Sequence, residues 1–288
     1  MSNLIRVVPL VTVLLLPAAG SAAPHASHAS SSRIAQMCSE GTRDVTSLPV
    51  DQYRRVDKLS DEQRAALDEL AAATIKAAQD IKAACPTEAP PSAPARLAAM
   101  QKRVEAMIAA VAAIRPPMEK FYGLLDDEQK EEVIAIGQHQ GPRGNLLDQD
   151  CGLAQAGVAG WPAAEVERAV HPNDAQRASL EVLEAAVAKA ADAAKDSCPS
   201  DNLLTPTARL AAVSQRLDAL LGSVKAVSGP LGDFYASLDD DQKARFDAIS
   251  LSHSTQPDQP AKARSATTAR RHHFVSIGSL IRRFLHAF

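Results

Sequence analysis

The residues with the clearest covalent chemistry in this 288-residue chain are four cysteines. Cys38 and Cys85 lie 47 positions apart, and so do Cys151 and Cys198. No C-x-x-C is present, which leaves thiol-oxidoreductase and zinc-knuckle chemistry with little support. In an oxidising compartment the default for such pairs is the disulfide. Four cysteines allow three pairings. The most local is one bridge per interval, Cys38–Cys85 and Cys151–Cys198, each closing a loop credited with roughly 4 kcal/mol in the chain-entropy model. Other reactive groups are sparse. His272, His273 and His286 are the candidate metal ligands, although basic tails commonly carry solvated histidines. The run Asp126-Asp127-Glu128 reads as a solvated helix start rather than a catalytic acid pair. No G-x-S-x-G, H-E-x-x-H or phosphate-binding glycine loop occurs, so no catalytic, cofactor or metal residue is assigned and no enzyme is expected.

These cysteines belong to a chain written twice. At an offset of 113 positions Gln63-Arg64 falls on Gln176-Arg177, Cys85-Pro86 on Cys198-Pro199, and Arg96-Leu97 on Arg209-Leu210. Phe121-Tyr122 falls on Phe234-Tyr235 and Asp126-Asp127 on Asp239-Asp240. A register held across so many residue types marks two copies of one structural unit. The copies are placed at 37–137 and 150–250, with a Gly/Pro-containing linker at 138–149 between them.

The two ends of the chain carry different information. Met1 to Arg6 is basic, Val7 to Pro17 is apolar, and Ala18 to Ala23 is a run of small residues. That three-part pattern reads as a secretory signal peptide, taken as 1–22, and it implies export. Residues 23–36 read as disordered. From residue 251 onward six basic residues face a single acid, Asp258, so this tail is opposite in sign to a chain whose net charge is −3. Phe274, Ile277, Ile281, Phe284 and Phe288 recur at helical spacing, with Arg282 and Arg283 beside them. An amphipathic helix lying on an anionic membrane surface is expected there. Export disfavours nucleic acid as the partner of this basic segment.

Each unit reads as all-α. Leu67, Leu70, Thr74, Ala78 and Ile81 form one apolar stripe. Leu97, Met100, Val104, Met107, Val111 and Ile114 form a second, repeated as Leu210, Val213, Leu217, Leu220, Val224 and Val227. Their alternating spacings of three and four are the seam of helices packed at a shallow angle. The proline-rich stretch from Pro86 to Pro94 separates the two stripes. The expected architecture is therefore two tandem repeats of a long antiparallel helical hairpin plus a shorter helix, which Pro117 and Pro230 start or kink. Aromatics make up only 3% of residues, so a thin unit with apolar stripes partly near the surface is expected.

Four short motifs stand at helix starts: Leu59-Ser60-Asp61-Glu62-Gln63, Leu125-Asp126-Asp127-Glu128-Gln129, Pro172-Asn173-Asp174-Ala175-Gln176 and Leu238-Asp239-Asp240-Asp241-Gln242. The second residue of each is a good N-cap and a glutamine follows three later, the logic of the capping box. Paired motifs of this kind in an exported helical chain resemble the LTXXQ-motif, or Spy/CpxP-like, periplasmic family. The resemblance covers both repeats and not the tail. It implies a cradle of long helices, formed in that family by a homodimer, and an ATP-independent chaperone or stress-response role toward unfolded or misfolded envelope proteins. This chain departs in carrying two units, in holding a cysteine pair per unit, and in having only Leu59-Ser60 close to the literal Leu-Thr start. Two alternatives stand beside the chaperone: a metal-responsive regulator of envelope signalling, and a structural envelope protein tethered by its tail.

Overall fold

A computed structural model describes residues 48–139, 163–198 and 205–253. All regular secondary structure among these residues is helical. Unit 1 contributes α1 (Val50–Tyr53), α2 (Asp61–Ala83), α3 (Ala93–Leu124) and α4 (Asp127–His139). Unit 2 contributes α5 (Ala163–Val170), α6 (Asp174–Asp196), α7 (Pro206–Ser237) and α8 (Asp240–His253). The last helix of each unit thus runs slightly past the boundaries expected at Gly137 and Ser250.

Each hairpin is antiparallel. The N-terminus of α2 meets the C-terminus of α3 where Gln63 donates to the Leu124 carbonyl, and α6 meets α7 in the same way where Gln176 donates to the Ser237 carbonyl. Ser92 and Thr205 cap α3 and α7 by accepting from the Ala95 and Ala208 amides. The prolines behave differently from the sequence expectation. Pro116 and Pro117 lie inside α3 and Pro230 lies inside α7, and each helix continues unbroken for 32 residues. An interior proline costs a helix about 3 kcal/mol. Packing along two neighbours outweighs that here, since α3 lies between α2 and α7, and α7 between α3 and α6. The shorter helices start instead at the capping residues Asp126 and Asp239.

The hydrophobic stripes are core and not surface. Leu67, Leu70, Ile81, Leu97, Val104, Met107, Val111 and Ile114 are buried, as are Leu210, Leu217, Leu220, Val224 and Val227. Ala77 rather than Ala78 takes the buried place on α2. The only exposed large hydrophobics among the described residues are Ile75 and Val182. The aromatics among the described residues are concentrated where helix ends converge. Tyr53 stacks on Phe121 at 5.9 Å between ring centres. In unit 2 the equivalent Phe234 meets Phe246 edge-on at 5.5 Å. Tyr53 corresponds to Val166, and Phe246 to Val133, and all four are buried. The second aromatic therefore changes sides around a common phenylalanine while the local volume is kept.

The two units pack on each other through α3 and α7, which run antiparallel. Glu105 faces Lys225 at 3.8 Å, while the N-terminus of α3 sits against the far end of unit 2. There the Asp247 carboxylate accepts from the Ala93 amide at 2.7 Å, from Arg96 at 3.0 Å and from the Tyr235 hydroxyl at 2.8 Å. Burial, followed by the Asp247 hydrogen bond, pushes Tyr235 up to about 12. At the opposite end Arg209, the counterpart of Arg96, lies against Gly137. Its charge opposes the burial that holds Tyr53 at about 12. The carboxylate has no counterpart there. Ile134 stands at the position of Asp247, and Pro206, which has no amide hydrogen, stands at the position of Ala93. Asp247→Ala would strand three donors at a largely buried junction. We expect it to lower the unfolding free energy by about 2–3 kcal/mol, measured by urea denaturation. A change no larger than that of the exposed control Asp240→Ala would show that the carboxylate does not hold the units together.

Candidate functional site: a paired-glutamine junction in each unit

The structure places all eight cap residues singled out by the sequence at helix starts. The Ser60 hydroxyl accepts from the Gln63 amide at 3.2 Å, and the Gln63 side-chain oxygen accepts from the Ser60 amide at 2.8 Å. Asp126 with Gln129, Asn173 with Gln176 and Asp239 with Gln242 repeat the exchange. The chain enters α2 and α6 through Lys58 and His171, equivalent residues that both hold φ at 52°. This left-handed turn aims the preceding carbonyls inward, toward the second motif of each unit.

The two motifs of a unit then meet. Gln63 Nε2 donates to Gln129 Oε1 at 2.7 Å, and Gln129 Nε2 donates to Gln63 Oε1 at 3.3 Å. Each amide also grips the backbone that leads into the other motif: Gln63 donates to the Leu124 carbonyl at 2.8 Å and Gln129 to the Asp57 carbonyl at 3.1 Å. Unit 2 reproduces the arrangement. Gln176 and Gln242 exchange bonds of 2.8 and 3.1 Å, Gln176 donates to the Ser237 carbonyl, and Gln242 donates to Val170. A primary amide offers two donors and two acceptor lone pairs. In this junction every one of them is used, and all four glutamines are buried. The junction is a connector and not a reactive centre. Asp127 and Asp240 in the adjacent acidic runs are fully solvated.

Two buried arginines escaped the sequence reading. Arg103 and Arg216 occupy equivalent positions on α3 and α7, and Arg216 is the bulkiest wholly buried side chain among the described residues. Its Nη1 lies 3.2 Å from Cys198 Sγ. The available signal was a charge repeated at one position of both copies beside an apolar stripe, Arg103 before Val104 and Arg216 before Leu217. Cys85 and Cys198 are both disulfide-bonded. Cys38 and Cys151, their expected partners, lie outside the described residues, as does the expected signal peptide at 1–22. The same holds for the tail residues Phe274, Ile277, Ile281, Arg282, Arg283, Phe284 and Phe288, and for His272, His273 and His286. Among the described residues no group of three His, Cys, Asp or Glu side chains is arranged to hold a metal ion.

The glutamine pair makes a specific energetic demand. Gln63→Leu leaves the Leu124 carbonyl, the Ser60 amide and half of Gln129 without partners, and should cost about 2–4 kcal/mol. Ser60→Ala, which removes only a cap, should cost about 1 kcal/mol. In a double-mutant cycle with Gln129→Leu the two glutamines should couple by at least about 1 kcal/mol. Strict additivity would mean that they are independent caps.

A family model described as LTXXQ motif family protein matches residues 47–137 and again 158–250. No curated protein and no solved structure matches the chain. The matched segments take in all four capping glutamines, and with them both paired junctions. The chain belongs to the LTXXQ motif family and carries two of its units in tandem.

Proposed function

We propose that this protein is a non-enzymatic, ATP-independent periplasmic chaperone or envelope-stress binding protein that holds unfolded clients on its helical surface. The observation that carries this reading is the exposed stripe along the central helix pair. On α3 it comprises Ala98, Ala109, Ala112 and Pro116, interleaved with Lys102, Glu105 and Glu119. On α7 it comprises Gly222, Ala226 and Gly229, beside Asp218 and Lys225. Gly222 and Gly229 have nothing within 4 Å of the place a Cβ would fill, so the fold itself makes no use of their missing side chains. Short side chains rimmed by both signs of charge give shallow contacts with little geometric demand, which suits varied clients and fast exchange. Neither Met100 nor Met107 belongs to this exposed stripe. Met107 is buried, and Met100 packs against the core.

Family membership favours a periplasmic, stress-related role. No helix among the described residues is long and apolar enough to cross a membrane. The mature chain at several-fold excess should slow aggregation of an unfolded client without nucleotide. Ala109→Glu with Gly222→Glu should weaken that effect while leaving the thermal midpoint near the parent value. Absence of suppression by the parent chain would refute the reading, and suppression that appears only with zinc would favour the metal-responsive alternative. The tail supplies a second proposed partner, an anionic membrane surface. Full-length protein should sediment with anionic liposomes at low salt, and a version ending at Ser250 should not. Equal behaviour of the two proteins would remove that partner.

A further inference from the structure

The four long helices lie in the order α2, α3, α7, α6, so α2 and α6 form the two edges of the row. The only exposed large hydrophobics among the described residues stand one on each edge, Ile75 on α2 at 61% exposure and Val182 on α6 at 60%. They are not equivalent positions of the repeat. Ile75 corresponds to Ala188, and Val182 to Glu69. The two edges are therefore different surfaces, and they match each other. Antiparallel placement of α2 on α6 of a second copy, with the exposed Ala72 facing the exposed Ala185, lets the backbones approach closely at the centre. Ile75 and Val182 each stand three residues from that alanine (75 − 72 = 3; 185 − 182 = 3), so they fall in one layer on either side of the seam. Lys76 and Glu181 border that layer and can lay their methylene stems over it. On one flank Glu69 meets Lys189, and on the other Arg64 meets Asp192 and Lys82 meets Asp174. The like charges that meet, Asp61 and Asp196, fall at the solvated end of the overlap. The bonds that Glu69 and Asp192 make within the chain, to Lys120 and Lys195, lie at the surface and exchange at little cost. Pairing like with like fits less well: α2 on α2 would put Glu69 in the layer of Ile75, and α6 on α6 would put Ala188 in the layer of Val182.

We propose that the outer face of α2 is a docking surface for the outer face of α6 on a second copy of this chain, so that copies associate reversibly edge to edge. The contact is head-to-tail: each copy offers one edge of each kind, and two copies that engage both edges close the assembly. A contact between two helix faces is at the small end of protein interfaces, below about 1,200 Å², so the association is transient. It is separate from the α3–α7 packing, which the chain already makes within itself. It also leaves the exposed stripe of α3 and α7 uncovered, so it stands or falls independently of client binding.

The test is sedimentation velocity of the full chain over a concentration series, with Ile75→Glu and Val182→Glu as variants. The parent's mean sedimentation coefficient should rise with concentration. Each variant alone should associate at least about tenfold more weakly, because burying the new carboxylate in the apolar layer is costly. Both positions are exposed, so the thermal midpoints should stay at the parent value. An equimolar mixture of the two variants should recover a one-to-one complex, since one retains an intact α6 edge and the other an intact α2 edge. In a mixture of isotopically labelled and unlabelled parent chains, carbodiimide should link Glu69 to Lys189 between copies. A parent that stays monomeric throughout the series would overturn the proposal. So would a variant that associates as well as the parent, which would place the contact elsewhere, or a mixture of variants that forms no complex.

Discussion

The fold depends on one local demand: a buried primary amide must satisfy two donors and two acceptors at once. A glutamine at the third position of a helix meets part of that demand by reaching back to its own cap. Its NH2 group remains, and in a buried setting those donors require carbonyls. Two such glutamines facing each other solve the problem mutually, Gln63 with Gln129 and Gln176 with Gln242. The solution fixes geometry as well as energy. The starts of α2 and α4 must come together, the carbonyl end of α3 must lie within reach, and the turn through Lys58 must present its preceding carbonyl. A glutamate at these positions would cap its helix equally well but would bring no donors, and the junction would lose its cross-links.

That dependence explains which parts of the structure were legible in the sequence. The caps were readable because capping is local: Ser60 and Gln63 are three residues apart and answer each other. The glutamine pairing was not read, because its partners are 66 residues apart and each glutamine already had a sufficient local explanation. The clue was available in the four-fold choice of Gln over Glu and in the equal separation within both copies. The apolar stripes were found, but their burial was underestimated. Low aromatic content suggested a thin unit, whereas α3 and α7 bury their faces against each other and against their own hairpin partners. The prolines at 117 and 230 misled for the opposite reason, since a local penalty was outweighed by packing on two sides. Asp247 could not be assigned from the sequence. Its three partners come from a neighbouring unit and from its own, and unit 1 has isoleucine at that position.

The arrangement of the units gives one chain a two-fold character with unequal ends. At one end a carboxylate gathers an amide, a guanidinium and a phenol. At the other, apolar Ile134 and the amide-less Pro206 take the corresponding places, and Arg209 lies along Gly137. The differences agree with each other: where the carboxylate acceptor is absent, the amide donor is absent as well. Duplication within one chain lets the two halves diverge in this way, which a symmetric pair of identical chains cannot do.

The exchange of aromatics around Phe121 and Phe234 bears on how a tandem repeat avoids misassembly. Two units of like sequence on one chain invite the wrong helices to pair while the chain is folding. If α8 were to dock in unit 1, Phe246 would meet Tyr53 across Phe121, three rings competing for a space that holds two. If α4 were to dock in unit 2, Val133 would face Val166 and leave a void beside Phe234. Overpacking in one mispairing and a cavity in the other each raise its energy relative to the native pairing. The volume-neutral swap that looks inconsequential within either unit thus serves as a label that tells each short helix which hairpin is its own.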